Sequence, residues 1–219
     1  MPRNKRNMEM NFNYNILDAN RRSVLPQLAF LKENFYLAGG TALALQIGHR
    51  RSIDFDFFTQ IPFNNMRMFI EYEEKFKSNV IEKTQDSKDT LTILIDNDIK
   101  ISMFKIPYPT IYPLIEDKNI SVLPMLEVGA MKLIALTRAA FRDYVDMYFI
   151  LHHFSLNDIF RVAKKKYKNF DEGIYLKCLL SFDDIEMSPI QFINDFERSE
   201  TEIFSFIEIQ TKEYIKRHT

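Results

Sequence analysis

Two aspartates separated by a single residue are the side chains in this sequence best placed to do chemistry. Residues 52–56 read Ser-Ile-Asp-Phe-Asp, so Asp54 and Asp56 lie two positions apart. Apolar and polar residues alternate over residues 53–58, which predicts a β-strand with both carboxylates on one face, about 6.6 Å apart along it. Carboxylate oxygens suit a hard divalent cation that keeps positions open for substrate phosphates. The pair therefore predicts a Mg²⁺ site for phosphoryl-type transfer.

Two adjacent glycines precede this pair. Gly39 and Gly40 follow the apolar segment 35–38, a predicted buried strand, and lead into segment 41–47, a predicted helix that ends at Gly48. Glycines let the backbone approach a ligand closely, and the start of a helix offers unpaired N–H groups and a positive dipole end. The turn therefore predicts a phosphate-binding loop.

Two arginines lie between the glycine turn and the aspartates. Arg50 and Arg51 follow His49, and a planar guanidinium group matches the geometry of phosphate oxygens. We expect one of them to contact a triphosphate. Taken singly these features are common, because Gly-Gly occurs in many turns and an Asp-x-Asp pair is usually a solvated strand face or a loop. Their order along the chain is what favours a nucleotide site.

The surrounding elements predict an α+β fold. Residues 64–77 have a helical pattern, and strands are predicted at 80–83, 90–95 and 99–104, with 96–98 as the turn of a hairpin. Together with the strands around the aspartates these make a small mixed sheet with flanking helices.

Prolines at positions 107, 109 and 113 interrupt the pattern and predict a linker. Beyond them the sequence reads almost wholly as helices. We therefore expect a sheet lobe at residues 1–105, a linker at 106–124 and a helical lobe at 125–219.

Composition excludes several classes of protein. The 219 residues are 46% hydrophobic and 27% charged, the balance of a folded globular chain, and no apolar run is long enough to span a membrane. The single cysteine, Cys178, rules out an internal disulfide and a cysteine-based zinc cluster. The basic start of the chain lacks a following apolar run, so we expect no signal peptide and a cytoplasmic protein. A net charge of −1 means that any contact with RNA must be local.

Several blocks of sequence resemble a known family. Residues 37–43 read Leu-Ala-Gly-Gly-Thr-Ala-Leu, and residues 48–58 read Gly-His-Arg-Arg-Ser-Ile-Asp-Phe-Asp-Phe-Phe. Downstream, residues 127–136 read Glu-Val-Gly-Ala-Met-Lys-Leu-Ile-Ala-Leu, residues 142–148 read Arg-Asp-Tyr-Val-Asp-Met-Tyr, and a third block spans residues 175–186. The chain resembles the AbiEii/AbiGii-type nucleotidyltransferases, minimal members of the DNA polymerase β-like superfamily that act as toxins of abortive-infection and type IV toxin–antitoxin systems. The resemblance implies a polymerase β-like fold with a C-terminal helical lobe.

The resemblance also implies roles for particular residues. Asp54 and Asp56 would hold Mg²⁺, and Ser52 would support the phosphate loop. That loop would be formed by Gly39, Gly40 and Thr41.

Downstream, Lys132 would approach the nucleotide phosphates, and Asp146, or in second place Asp143, would be the late essential acid of the family. These aspartates lie eleven and fourteen positions after Lys132, which returns both to within about 40° of its face on a continuous helix. The alternative is that Lys132 is a surface lysine and that the aspartates pair with Arg138 or Arg142 on a solvated face.

One departure from the superfamily concerns the general base. Many polymerase β-like enzymes place a third carboxylate on a neighbouring strand, yet residues 100–105 contain no acid. Asp96 and Asp98 flank this strand but are predicted hairpin residues. The identity of the base is therefore open.

Other candidate features have simpler explanations. The basic stretch 161–168 could hold an RNA backbone through phosphate contacts, although such a run is usually a solvated helix face. His152 and His153 point in different directions on a helix and lack a nearby third ligand, so we assign them no role. We expect Cys178 to be a small core residue.

The sequence leads to one principal function and two alternatives. The principal function is Mg²⁺-dependent transfer of a nucleoside monophosphate from a nucleoside triphosphate to an acceptor hydroxyl. The resemblance makes a tRNA 3′ end the leading acceptor, with a protein hydroxyl next, and implies a toxin with a separately encoded antitoxin. The alternatives are a nucleotide-binding or interaction module without turnover, and an enzyme that modifies a small molecule such as an antibiotic.

Overall fold

The fold is α+β and is built on a mixed sheet, as the sequence predicts. A computed structural model describes residues 12–218 of the chain. Within these residues the sheet has seven strands in the order β3-β4-β5-β2-β1-β7-β6. The strands are β1 (Tyr36–Ala38), β2 (Phe55–Thr59), β3 (Ile81–Ser87), β4 (Thr90–Ile95), β5 (Ile99–Lys105), β6 (Ile115–Glu116) and β7 (Ser121–Val122).

The centre of the sheet carries the paired aspartates. Strand β2 lies between β1, to which it is antiparallel, and β5, to which it is parallel. Asp56 is opposite Ala38 on one side and Ser102 on the other. Phe55 and Phe57 are fully buried on the opposite face of β2, so the alternation of side chains anchors this strand in the core and turns Asp56 away from it.

Helices cover the sheet and form the C-terminal half of the chain. The α-helices are α1 (Ala19–Val24), α2 (Gly39–Ile47), α3 (Asn65–Lys75), α4 (Met125–Ala135), α5 (Phe141–Leu151), α6 (Leu156–Lys166), α7 (Glu172–Cys178) and α8 (Glu200–His218). Helix α2 contacts β1 and α4, and α4 also packs on α5 and α6. A Cβ on Gly129 would lie 3.1 Å from Ile150, so the glycine allows α4 and α5 to pack closely. None of the helices within residues 12–218 has the length and apolarity needed to cross a bilayer.

Several boundaries differ from the predicted ones. Strand β2 begins at Phe55 rather than at residue 53, and Ile53 is 58% exposed. The predicted linker 106–124 contains β6 and β7, and β7 pairs in parallel with β1. The second half of this segment therefore adds two short strands to the sheet. Residues 1–11, which hold the basic start of the predicted first lobe, lie outside the described residues, as does residue 219.

The C-terminal half also contains a long irregular segment where mostly helix was predicted. Between α7 and α8, the part of the chain around residues 185–193 forms isolated β-bridges, Ala140 with Glu186 and Arg50 with Phe192. The amide of Arg51 donates to the carbonyl of Gln191, and the amide of Ile193 donates to the carbonyl of His49. We refer to residues 185–193 as the strap, because its main chain joins the start of α5 to the segment that carries the two arginines.

Candidate active site

The two carboxylates predicted to bind metal lie side by side and are half-buried. Asp56 is on β2, and Asp54 immediately precedes the strand. Within residues 12–218 neither carboxylate has a hydrogen-bond or ion-pair partner. Burial, and secondly the nearby charge of Asp54, raises the pKa of Asp56 above its usual value. Two like charges that lack a direct ion-pair partner are unfavourable in a partly buried site, and a bound cation would relieve that cost.

The Gly39-Gly40 turn lies directly beside these carboxylates. Gly39 has a φ of +69°, and a Cβ there would lie 3.3 Å from Oδ2 of Asp56. A glycine is therefore required both by the left-handed backbone and by the close approach to the acid. The turn opens α2, which ends at Gly48 in a left-handed conformation, as the sequence predicts.

Hydroxyl groups attach the turn to the segment before β2. The Oγ1 of Thr41 lies 2.7 Å from the Oγ of Ser52, and the Thr41 hydroxyl also donates to the carbonyl oxygen of Asp54. Thr41 is buried. Both residues therefore fix the position of the loop relative to the carboxylates, which is the supporting role that the resemblance implies for Ser52.

Arg50 is held by a buried carboxylate behind the turn. Its Nε lies 2.7 Å from Oδ1 of Asp146, and its Nη2 lies 2.8 Å from Oδ2. His49 Nε2 lies 2.9 Å from the same Oδ1. Because a Cβ on Gly40 would lie 2.5 Å from Nη2 of Arg50, only a glycine leaves room for this guanidinium group. The guanidinium group of Arg50 is therefore already paired within the wall of the site, whereas Arg51 is exposed.

Lys132 meets both downstream aspartates. Its Nζ lies 2.7 Å from Asp143 and 2.5 Å from Asp146, and both carboxylates are fully buried. Arg138 pairs with the other oxygen of Asp143 at 2.7 Å. The alternative interpretation of the sequence predicted this partner, but on a solvated face, whereas Asp143 and Lys132 are buried. The positive charge of Arg50, and next that of Lys132, keeps the pKa of Asp146 well below its usual range even though burial opposes this.

The continuous helix assumed for these three residues is wrong. Helix α4 ends at Ala135, and Ala139 adopts a left-handed φ of 51° before α5 begins. The charges therefore converge across two packed helices rather than along one face. Asp143 and Asp146 are buried behind the site, so we expect them to act by positioning Lys132 and the arginines rather than by touching a ligand.

A cleft of about 490 Å³ opens in front of these residues. We refer to it as the first cleft. One side is formed by the Gly39-Gly40 turn and the segment 50–56, and the other by Met131, Lys132, Ala135, Arg138 and Arg142, with strap residues 188–191 at its edge. Nine of the eleven predicted site residues line it, and Asp143 and Asp146 lie behind. The lining predicted from sequence and family resemblance thus comes together in space.

A second cleft, of about 550 Å³, meets the first at the carboxylates. Both clefts are lined by Asp54, Asp56, Phe58, Arg138 and Arg142. The second cleft then extends over the outer strands of the sheet, where Lys100, Ser102, Phe104 and Lys105 line it together with Thr84, Gln85, Thr90 and Thr92. Ser102 occupies the position opposite Asp56 on the neighbouring strand. No carboxylate therefore replaces the missing third acid at that position.

Sequence reasoning missed several residues of the site. Residues 188–191 of the strap line the first cleft although they lie outside every motif, and only the folded chain brings them beside Arg51. Arg142 was considered only as a surface partner for an aspartate, yet its side chain lines both clefts and its charge acts on Asp56. Lys100 acts on Asp56 in the same way. Their positions depend on helix and strand packing, which no local pattern reveals.

The basic stretch 161–168 is mostly occupied by ion pairs. Lys166 is fully buried and pairs with Glu127 at 2.7 Å, Lys164 pairs with Glu172, and Arg161 pairs with Asp158. None of these lysines or arginines lines either cleft. Cys178 is half-buried at the end of α7 and packs against the edge of the core rather than inside it.

Asp54 and Asp56 fit a magnesium ion through their donor chemistry. Their oxygens lack partners in the described structure, and they face space that a substrate could occupy. No cluster of three or more acidic, histidine or cysteine side chains able to hold a metal occurs within residues 12–218. Two carboxylates suffice for Mg²⁺, which commonly takes one or two protein ligands and completes its shell with water and substrate phosphates.

Comparisons with known proteins identify the family and the fold. Residues 24–214 match the family described as "Nucleotidyl transferase AbiEii toxin, Type IV TA system". The chain is 34% identical over 194 residues to the uncharacterised protein aq_aa25 of Aquifex aeolicus (strain VF5), covering 84% of this chain and 89% of that protein. It is similar in fold to the crystal structure of JHP933 from Helicobacter pylori, with a TM-score of 0.56, 18% identity, and coverage of 90% of this chain and 91% of that one.

A second crystal structure from H. pylori, of a candidate nucleotidyltransferase, has a TM-score of 0.55 at 17% identity and covers 92% of this chain and 97% of that one. Fold and family together define a nucleotidyltransferase. The chain belongs to the AbiEii family of nucleotidyltransferase toxins of type IV toxin–antitoxin systems, which confirms the resemblance read from the sequence.

Proposed function

We propose that this protein transfers a nucleoside monophosphate from a nucleoside triphosphate to an acceptor hydroxyl, and that the transfer depends on Mg²⁺ held by Asp54 and Asp56. The observation that carries the proposal is the position of these two carboxylates. They lack partners in the described structure, and they lie where two clefts meet. A triphosphate in one cleft and a hydroxyl in the other would both reach them.

The triphosphate is assigned to the first cleft. The Gly39-Gly40 turn at the start of α2 offers backbone N–H groups beside the carboxylates. Arg51 is exposed and its side chain has no partner within the described residues, so its guanidinium group is free to bind phosphate. Lys132 uses two of its three N–H donors on Asp143 and Asp146, which leaves one for a phosphate oxygen.

The remaining residues position these groups. Arg50 keeps the turn in place and Asp146 holds Arg50 and Lys132, so a charged wall is present before substrate binds. Such preorganisation is a main source of catalytic power in phosphoryl transfer. When bound, Mg²⁺ would neutralise charge that develops on the phosphate oxygens. Asp54 and Asp56 would also help to activate the acceptor hydroxyl, since no other unpaired carboxylate of the described residues lines either cleft.

Family membership supports a proposal for the acceptor and for the biological setting. A tRNA 3′ end is the leading acceptor and a protein hydroxyl is the next. We further propose that the protein acts as a toxin in the cytoplasm and that a separately encoded antitoxin opposes it. A cationic small molecule such as an antibiotic is disfavoured, because Arg51, Lys132, Arg138 and Arg142 make the walls of the first cleft predominantly basic.

The experiment is incubation with radiolabelled nucleoside triphosphates, Mg²⁺ and total tRNA. We expect the wild type to label RNA and Asp54→Ala to lose the label, whereas Asp184→Ala, at an exposed aspartate that lines neither cleft, should retain it. Equal labelling by the wild type and Asp54→Ala would rule out the site.

A second candidate function is nucleotide binding without turnover, which the serine opposite Asp56 favours. It predicts that calorimetry detects binding of the nucleoside triphosphate, but that the triphosphate releases no pyrophosphate whichever acceptor is supplied. Measurable Mg²⁺-dependent release of pyrophosphate by the wild type would exclude it.

A further inference from the structure

We infer that the second cleft binds the single-stranded 3′ end of an RNA acceptor, and that this cleft, rather than the basic stretch 161–168, is the RNA-binding surface. The inference rests on the proposed function, because the second cleft is productive only if the carboxylates it shares with the first cleft carry the transfer. It names both a site and a class of ligand.

The first argument is charge. Lys100, Lys105, Arg138 and Arg142 line the second cleft. Lys100 and Arg142 are exposed and have no ion-pair partner within residues 12–218, whereas Lys105 pairs with Asp89, and Arg138 with Asp143. Unpaired cations beside two carboxylates attract an anionic chain and can direct its end toward Asp56. A chain with a net charge of −1 needs such a local concentration of positive charge to hold nucleic acid.

The second argument is the chemistry of the cleft surface. Phe58 and Phe104 line it as half-buried rings with centroids 5.2 Å apart. Thr84, Gln85 and Thr90 add hydroxyl and amide groups. Aromatic rings on a sheet that stack bases, together with polar groups that bind ribose and phosphate, are the usual means by which proteins hold single strands.

The third argument is that most of the positive charges in the alternative surface, the basic stretch 161–168, already have acidic partners. In the basic stretch 161–168, Lys166 is fully buried against Glu127, and Lys164 and Arg161 already have acidic partners. Its exposed lysines without an acidic partner among residues 12–218 are Lys165, on α6, and Lys168, just after that helix, and neither lines a cleft. RNA bound there would not be directed to the carboxylates by any described contact.

The test measures binding of a short 5′-labelled single-stranded RNA with a free 3′ hydroxyl to the full chain over a range of salt concentrations. Lys100→Ala should reduce the slope of log affinity against log salt by about one, because one phosphate contact is lost. Lys165→Ala is the matched control, an exposed lysine whose loss should leave the slope unchanged. Ultraviolet cross-linking of the same RNA should map to the peptide that contains Phe104.

Nucleotide binding is measured in parallel with a non-hydrolysable nucleoside triphosphate. If both variants bind the nucleotide normally but only Lys165→Ala changes the salt slope, RNA does not bind in the second cleft. The assignment of the nucleotide to the first cleft is then unaffected. If the wild type labels a protein hydroxyl and has no affinity for RNA, the inference is overturned, but the proposed nucleotidyl transfer is not. If the wild type binds neither nucleotide nor RNA, both the proposed function and the assignment of RNA to the second cleft are wrong.

Discussion

The guanidinium group of Arg50 forms a two-point contact with the buried carboxylate of Asp146, with nitrogen–oxygen distances of 2.7 and 2.8 Å. This contact is made across 96 residues of sequence. It joins the segment before β2 to α5, so the two halves of the chain meet behind the first cleft. The same guanidinium group fills the space beside Gly40. A buried ion pair therefore sets the shape of the predicted phosphate loop.

Gly40→Ala tests this relationship. The added methyl group would lie 2.5 Å from Nη2 of Arg50, and Arg50 cannot move aside without breaking its contact with Asp146. We expect a loss of about 1–3 kcal/mol in the free energy of unfolding, together with weaker binding of nucleoside triphosphate. Urea denaturation and calorimetry measure the two effects. Gly173→Ala, at an exposed glycine near the start of α7, should lower neither quantity, and normal nucleotide binding by Gly40→Ala would contradict the account.

The two adjacent arginines should separate into a structural and a binding role. Arg50→Gln removes a buried partner of Asp146, so we expect the free energy of unfolding to fall by about 3–5 kcal/mol. Arg51→Gln should change it by no more than about 0.5 kcal/mol, because the side chain is exposed. It should nevertheless raise KM for the nucleoside triphosphate by about tenfold, the cost of one charge-assisted hydrogen bond. Identical effects of the two variants would show that this division of roles is wrong.

The local part of the site could be predicted from sequence because local rules decide it. A strand alternates its side chains, so Asp54 and Asp56 were predicted to lie together. Glycine alone tolerates the backbone at position 39 and the close packing at position 40, so the turn could be located. The hairpin between β4 and β5 and the helix that ends at Gly48 follow from the same kind of local preference.

The rest depends on how elements pack. The meeting of Lys132 with Asp143 and Asp146 was predicted, but for the wrong reason, because the chain breaks after Ala135 and the helices lie side by side. The strap reaches the first cleft through main-chain hydrogen bonds, which are independent of side-chain identity and leave no motif. The burial of Lys166 against Glu127 likewise could not be distinguished in sequence from a solvated basic face.

Asp54→Asn should stabilise the protein while removing its activity. Burial, and next the charge of Asp54, raises the pKa of Asp56, so removing the charge of Asp54 lowers the cost of keeping Asp56 ionised at neutral pH. We expect the free energy of unfolding to rise by about 0.5–2 kcal/mol, the usual range where a functional site is strained. Denaturation in the absence of divalent cations measures it, with Asp184→Asn as the control. A clear loss of stability in Asp54→Asn would mean that the carboxylate has a structural partner.

His49 should make stability depend on pH in the mildly acidic range. Burial lowers its pKa, against the opposing influence of Asp146. The unfolded chain therefore binds a proton near pH ~6.5 that the folded chain does not, and stability is lost as pH falls below that value. We expect a loss of about 1 kcal/mol between about pH 6.5 and pH 5.5.

Denaturant titrations at several pH values check this. His49→Gln should flatten the profile in this window, whereas His153→Gln, at an exposed histidine, should leave the slope as in the wild type. A wild-type profile that is level over the same window would contradict this, because it would mean that the pKa of His49 is the same in the folded and unfolded chains.

The central claim is that Asp54 and Asp56 together bind a divalent metal ion where the two clefts meet. Titration of Mn²⁺ into the protein in the presence of a non-hydrolysable nucleoside triphosphate, followed by electron paramagnetic resonance, tests it directly. The account predicts that the wild type binds Mn²⁺ and that Mg²⁺ competes for the site, while Asp56→Asn loses binding and remains folded. Undiminished Mn²⁺ binding by Asp56→Asn would contradict it.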